Sequence, residues 1–172
     1  MPKLSAWVLI FALTLSTHAI ALEQVYQDPD VFVSESLGPR PQLKVLWLTK
    51  EMQAETARIL GHPPTQLRQR YWSDGGKRVW ILEEIGKEEP ITAGFVVANG
   101  HIDHVRVLVY RESRGSEVRY PSFLKQFENA VLTPDDRLSR AIDGISGATL
   151  SVSALERLAR LALYFDRASG LQ

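Results

Sequence analysis

A short segment in the last third of the chain contains the residues best suited to chemistry. It runs Asp143-Gly-Ile-Ser-Gly-Ala-Thr149 and is followed by an amphipathic helical pattern. Small residues permit a tight turn, and a helix start presents unpaired backbone N–H groups and the positive end of the helix dipole. The hydroxyl groups of Ser146 and Thr149 add a nucleophile beside that turn. This arrangement is suited to holding a phosphate-bearing ligand.

The stretch from Asp143 to Ser151 resembles the attachment motif of the FMN-binding domain family. That family includes the C subunit of the sodium-translocating NADH:quinone oxidoreductase and the G subunit of the Rnf electron-transport complex. In it, a flavin transferase joins FMN to a threonine through a phosphoester bond. The resemblance implies that Thr149 is the acceptor, with Ser151 as the alternative. It also implies cofactor contacts from the surrounding residues, which are Asp143, Ser146, Gly147, Ala148 and Leu150.

A second stretch supports the same resemblance. Tyr110-Arg-Glu-Ser-Arg-Gly115 followed by Pro121-Ser-Phe-Leu-Lys-Gln-Phe127 is similar to the glycine loop and short helix that precede the attachment site in the family. The similarity covers roughly residues 92–165. The loop itself departs from the family, because Ser113-Arg-Gly-Ser116 stands where many members have a Thr/Pro-Gly-Leu/Tyr-Gly pattern.

Charged and aromatic side chains of this loop are candidates for flavin contacts. The guanidinium groups of Arg111, Arg114 and Arg119 could pair with a phosphate or stabilise reduced flavin, and a solvated charged loop is the alternative. Tyr110, Phe123 and Phe127 could stack on the flavin ring or line its pocket. For Phe127 core packing is favoured, because it repeats with Phe123 and Leu124 at helical spacing.

The attachment reaction explains the residue types of the motif. A transferase must bring the pyrophosphate of FAD to a hydroxyl group, and Gly147 and Ala148 leave room for that approach. Asp143 could orient the hydroxyl group or assist the metal of the transferase, or it could be a turn-forming residue.

The first residues are typical of a secretory signal. Lys3 is followed by an apolar run from Leu4 to Leu15, and Ala19-Ile-Ala21 offers a cleavage site. A run of about twelve residues is shorter than the roughly 20 needed to span a bilayer. We therefore expect cleavage after Ala21 and an exported, periplasmic chain, with an uncleaved anchor as the alternative.

Composition excludes several classes of function. With 20 basic and 20 acidic side chains, the chain lacks the strongly basic character of nucleic-acid-binding proteins. It has no cysteine, which excludes disulfides, iron–sulfur clusters and thiolate zinc sites within it. An electron carrier of this composition must therefore use an organic cofactor or a haem without cysteine ligands.

Pattern and turn signals predict an α+β domain, with an antiparallel sheet of hairpins flanked by helices. We expect an extended N-terminal arm over residues 22–48 and a single FMN-binding domain over 49–172. Thr49 is expected to cap a helix that ends at Leu60, and the last helix is expected from about Ser151 to Asp166. Two hairpins are predicted, with turns at Ser73–Lys77 and Asn99-Gly100, and a cross-strand pair of Trp72 and Trp80 in the first.

Two rival chemistries are weaker. Gly144-Ile-Ser-Gly-Ala148 is similar to a hydrolase nucleophile elbow, but all four histidines precede Ser146, whereas the elbow requires a later one. His101 and His104 are spaced three apart, so on a strand they would point to opposite faces and could share a metal only at a turn.

The sequence thus predicts an exported electron carrier with FMN attached covalently to Thr149. Its expected partners are a flavin transferase and a redox protein such as a cytochrome or a membrane flavocytochrome. We predict no bound metal and no substrate-processing machinery. The alternative is a sensor or assembly module of the same fold that binds flavin reversibly or performs no redox chemistry.

Overall fold

The computed structural model describes residues 23–170, which form one antiparallel sheet with helices on both faces. The strands are β1 (Gln24–Val25), β2 (Gln42–Trp47), β3 (Arg68–Ser73), β4 (Lys77–Ile85), β5 (Pro90–Ala98) and β6 (His101–Tyr110). The helices are α1 (Pro29–Leu37), α2 (Lys50–Leu60), α3 (Pro121–Leu124) and α4 (Thr149–Ser169). The order across the sheet is β1-β6-β5-β4-β3-β2, which confirms the predicted α+β single domain. The predicted signal peptide, residues 1–21, lies outside the described residues.

Both predicted hairpins form. In the β5–β6 hairpin, Ala98 pairs with His101, and the two turn residues Asn99 and Gly100 have φ values of 50° and 77°. Positive φ at both positions matches the twist of the flanking strands, which is why Asn-Gly is a strong hairpin signal. In the β3–β4 hairpin, Ser73 pairs with Arg78.

The predicted pair of Trp72 and Trp80 is wrong. The register places Tyr71 opposite Trp80 and Trp72 opposite Val79, so the two tryptophans point to opposite faces of the sheet. Tyr71 instead stacks on Trp80 with ring centroids 4.5 Å apart. A shift of one residue in the pairing reverses which side chains meet, and the turn length sets that pairing.

The middle strands are covered on both faces. On one face, α2, α3 and α4 enclose the larger part of the core, where Trp80, Phe95 and Phe165 are fully buried. On the other face, α1 covers a second cluster of Val79, Val96, Leu108 and Val109. This burial on both sides explains the nearly continuous apolar sequence of β5.

The segment expected to be an extended arm instead forms helix α1 between β1 and β2, the two edge strands of the sheet. Asp28 caps α1 by accepting the backbone N–H groups of Asp30 (2.8 Å) and Val31 (3.2 Å), and Pro29 occupies the first turn. The Asp28-Pro29 pair, interpreted above as a turn, is thus a helix start. Phe32 is 1% exposed, so the helix belongs to the core.

Phe32 packs directly on the backbone of β5 at Gly94. A Cβ atom added to Gly94 would lie 2.3 Å from Cε1 of Phe32. We expect Gly94→Ala to destabilise the protein by ~1–3 kcal/mol, because the methyl group overpacks this contact. In a Phe32→Ala background the same change should cost much less. Denaturant unfolding of the four variants measures this coupling, and additive free energies would contradict the packing described here.

A buried carboxylate connects the end of α2 to α4. The side chain of Glu84 on β4 is 4% exposed. It lies 3.1 Å from Nε2 of His62 and 3.1 Å from a guanidinium nitrogen of Arg157. The pKa of His62 is raised, chiefly by its hydrogen bond to the carbonyl of Pro63 and also by Glu84, whereas burial and, less strongly, Arg157 oppose the shift.

Folding stability should therefore depend on the protonation of His62. A pKa raised on folding adds stability at pH values below the ordinary histidine pKa of about 6.5, and this stability is lost as pH rises through the folded-state pKa. We expect the stability difference between wild type and His62→Gln to shrink from pH 6 to pH 8, measured by urea unfolding. A difference that stays constant or grows over this range would contradict the assignment.

Candidate functional site

A surface cavity of about 570 Å³ surrounds the first turn of α4. Its walls are the β4–β5 turn, the loop that follows β6 and the residues that open α4. The lining residues are Lys87, Glu88, Glu112, Ser113, Arg114, Gly147, Ala148, Thr149, Leu150 and Ser151. Its volume falls within the roughly 300–1,000 Å³ of small-molecule sites. A second cavity, of about 500 Å³, lies where β3 and β4 separate and contains none of the predicted site residues.

Thr149 is the exposed first residue of α4. The helix begins two residues earlier than predicted, since Ala148 takes the N-cap position and its carbonyl accepts the N–H of Val152 at 2.9 Å. Gly147 has φ of 82°, a conformation that favours glycine, and a hydrogen bond from Ala148 to the carbonyl of Ile145 closes the turn. The motif thus presents a hydroxyl group beside the first N–H groups of a helix.

The two candidate acceptors, Thr149 and Ser151, differ in exposure. Ser151 is 4% exposed, and its Oγ lies 3.1 Å from the hydroxyl oxygen of Tyr110. Thr149 is exposed at the cavity wall. Of these two hydroxyl groups, that of Thr149 is therefore the one more accessible to another molecule.

Tyr110 lies beneath the cavity instead of lining it. It is 1% exposed, and its hydroxyl group donates to the carbonyl of Arg114 at 2.5 Å. Burial raises the pKa of Tyr110, and the hydrogen bond with Ser151 partly opposes the shift. The tyrosine therefore connects the loop after β6 to the first turn of α4, and its ring has no face open to a ligand.

The three loop arginines have different environments. Arg114 lines the cavity. Arg111 turns away from it and donates to the carbonyl of Pro90 (3.3 Å), to Oγ1 of Thr92 (3.0 Å) and to Glu23 (3.0 Å). The guanidinium group of Arg119 lies over the ring of Tyr26, 4.5 Å from its centroid. The structure therefore brings Arg114, but neither of the others, to Thr149.

Gly147, Ala148 and Leu150 also line the cavity. The other predicted site residues, Phe123, Asp143 and Ser146, are not part of its wall. Phe123 is 7% exposed and packs edge-on against Phe127, with centroids 5.8 Å apart, so it belongs to the core. Asp143 and Ser146 are exposed on the loop before Gly147. The backbone N–H of Asp143 donates to the side chain of Gln126 at 2.7 Å, which positions this loop.

Sequence reasoning missed the residues that form the opposite walls. Lys87 and Glu88 lie on the β4–β5 turn, and Glu112 follows β6. The signal that could have located the turn is Gly86-Lys-Glu-Glu-Pro90, a turn-type segment between two strands. Its proximity to Thr149 depends on the strand pairing, which no local pattern reveals.

The described residues were also searched for metal sites and membrane-spanning helices. Within residues 23–170, the structure contains no cluster of three or more His, Asp or Glu side chains arranged to hold a metal ion. None of the helices in this range is both long and apolar enough to span a membrane.

A comparison with known protein families gives a match in the second half of the chain. Residues 86–164 match the family model of the FMN-binding domain, a range that contains the turn at Lys87, the loop at Arg114 and Thr149. Searches of curated proteins and of solved structures returned no match. The match over residues 86–164 supports an FMN-binding domain in this part of the chain, with FMN as its cofactor.

The residues at the cavity are compatible with that cofactor. An exposed hydroxyl group stands at the helix start, and Lys87 and Arg114 bring positive charge to the wall. Close packing shapes this wall, because a Cβ atom added to Gly115 would lie 3.0 Å from both the Cβ of Ala148 and the hydroxyl oxygen of Tyr110.

Two glycines at the site should respond differently to substitution. Gly115 and Gly147 both have φ of 82°, so alanine at either position costs ~1–2 kcal/mol of backbone strain. At Gly147 the added methyl group meets open space among the described residues, whereas at Gly115 it comes within 3.0 Å of Ala148 and Tyr110, so these neighbours must shift. We expect Gly115→Ala to destabilise clearly more than Gly147→Ala in denaturant unfolding. Equal losses would show that the loop does not pack on Ala148 as described.

Proposed function

We propose that this protein carries FMN covalently on Thr149, through a phosphoester bond, and serves as an exported electron carrier. The observation that carries the proposal is the placement of Thr149. It is an exposed hydroxyl-bearing residue at the start of α4, on the wall of a cavity, within the segment that matches the FMN-binding domain family.

The attachment reaction requires a flavin transferase and FAD. Oγ1 of Thr149 attacks the phosphorus on the riboflavin side of the pyrophosphate and forms a new P–O bond. The bond from that phosphorus to the bridging oxygen breaks, AMP leaves, and the hydroxyl proton is released to a base of the transferase. Gly147 keeps the approach open, because it has no side chain and its Cα faces open space among residues 23–170.

The residues of the chain then accommodate one added negative charge. The phosphodiester would lie beside the first N–H groups of α4, where the helix dipole favours an anion. Arg114 and Lys87 on the cavity wall offer positive charge, although Lys87 also pairs with Glu88 at 3.1 Å and Glu112 lines the same wall. Bound FMN would provide electron exchange in single or paired steps.

Export and partners are also part of the proposal. The signal-like segment of residues 1–21 would direct the chain to the periplasm, where a transferase modifies it. A redox protein, such as a cytochrome or a membrane flavocytochrome, would then exchange electrons with the flavin. The absence of cysteine from the sequence is consistent with a carrier that relies on an organic cofactor.

Attachment can be tested by mass spectrometry of the protein coexpressed with a flavin transferase. We expect the intact wild-type protein to gain the mass of FMN minus water, and Thr149→Ala to lose this gain completely. Ser151→Ala is the matched control and should keep the gain, because Ser151 is turned inward toward Tyr110. An adduct that survives Thr149→Ala would show that the acceptor is a different residue.

The carrier role is tested separately on the modified protein. Its flavin absorbance should bleach with dithionite and return on reoxidation. Failure to reduce would contradict electron transfer and favour the non-redox module, while leaving the attachment site in place.

A further inference from the structure

One carboxylate oxygen fastens the β4–β5 turn to the end of β6. Oε1 of Glu112 accepts backbone N–H groups from Glu88 at 2.8 Å and from Glu89 at 3.1 Å, and it accepts a shorter hydrogen bond from Lys87. Hydrogen bonds to an ionised acceptor are roughly twice as strong as neutral ones. Glu112 therefore fixes the position of residues 86–89 relative to the sheet.

Gly86 permits this close approach. A Cβ atom at this position would lie 2.8 Å from Oε1 of Glu112 and 3.4 Å from Oγ of Ser151. The N–H of Gly86 also donates to the carbonyl of Glu89 at 3.1 Å, which closes the turn on itself. The turn is thus held between the carboxylate and the first turn of α4.

The fastened turn is one wall of the cavity at Thr149. Lys87 and Glu88 line that wall, and the loop that carries Arg114 forms the next one. Tyr110 holds this second wall through the carbonyl of Arg114. Two side chains at the end of β6, Tyr110 and Glu112, therefore set the positions of both walls relative to the acceptor threonine.

We propose that Glu112 is a positioning residue of the flavin site. Its carboxylate holds the turn of residues 86–89 as a fixed wall against a flavin carried on Thr149, and so fixes where Lys87 presents its positive charge. This inference rests on the proposed function, since it assumes that flavin occupies the cavity. Glu112 acts through the turn and is assigned no direct role in attachment or electron transfer.

The experiment compares three variants that each remove a negative charge from the β4–β5 turn or its anchor. Glu112→Ala removes the anchor, and Glu112→Gln keeps an acceptor oxygen but removes its charge. Glu89→Ala is the matched control, because Glu89 is an exposed carboxylate of the same turn that is not among the residues lining the cavity. Two readouts are used: hydrogen exchange of the amides of residues 87–89, and visible circular dichroism of the flavin in the modified protein.

Loss of a charge-assisted hydrogen bond worth ~1.5–3 kcal/mol should speed amide exchange by about 10- to 100-fold in Glu112→Ala. The flavin dichroism should weaken in the same variant, since the surroundings of the ring are no longer fixed. Glu112→Gln should give intermediate values, and Glu89→Ala should match wild type in both readouts. If Glu112→Ala does not fold, Glu112→Gln decides: intermediate values support the proposal, and wild-type values refute it.

Unchanged dichroism in Glu112→Ala would overturn the inference. Equal changes in Glu112→Ala and Glu89→Ala would also overturn it, because the effect would then be one of charge and not of anchoring. The exchange measurement also works on flavin-free protein. If wild type never acquires flavin, the proposed function has failed. Faster exchange in Glu112→Ala would then still show that Glu112 anchors the turn, but it would refute a role of this anchor in a flavin site. Unchanged exchange would refute the anchor as well.

Discussion

The pairing of β5 with β6, buried between two helical layers, is the constraint on which the site depends. This hairpin places Ile91 opposite Tyr110, so the start of β5 and the end of β6 lie side by side. The turn before β5 and the loop after β6 are therefore neighbours, although more than 20 residues separate them in sequence. Packing of α4 on β4 and β5 then brings Thr149 between them.

Local signals predicted those elements whose ends carry distinctive residues. Thr49 and Gly61 bound α2 as expected, and Asn99-Gly100 forms the turn of the β5–β6 hairpin. The same kind of signal was present at Asp28-Pro29, but it is shared by turns and helix starts. Burial of Phe32 against Gly94 resolves that ambiguity, and burial is a property of the assembled sheet.

Only the part of the candidate site that is contiguous in sequence could be predicted. The motif around Thr149 is contiguous, so a resemblance located it. Residue type alone predicts the same role for Arg111 and Arg114. Their surroundings differ because they depend on the direction in which the chain turns after β6. The contributions of Lys87 and Glu112 arise from strand pairing, and the position of Tyr110 beneath the cavity arises from the alternation of side chains along β6.

The central distinction is between two hydroxyl groups that lie two residues apart in sequence, those of Thr149 and Ser151. Ser151 is held inward by Tyr110, whereas Thr149 is exposed at the wall of the cavity. The most direct test is fragmentation mass spectrometry of the flavin-bearing peptide from the native, unsubstituted protein, with a method that preserves the phosphoester bond. The account predicts that the added mass begins at the fragment containing Thr149. A mass located on Ser146, Ser151 or Ser153 would contradict it.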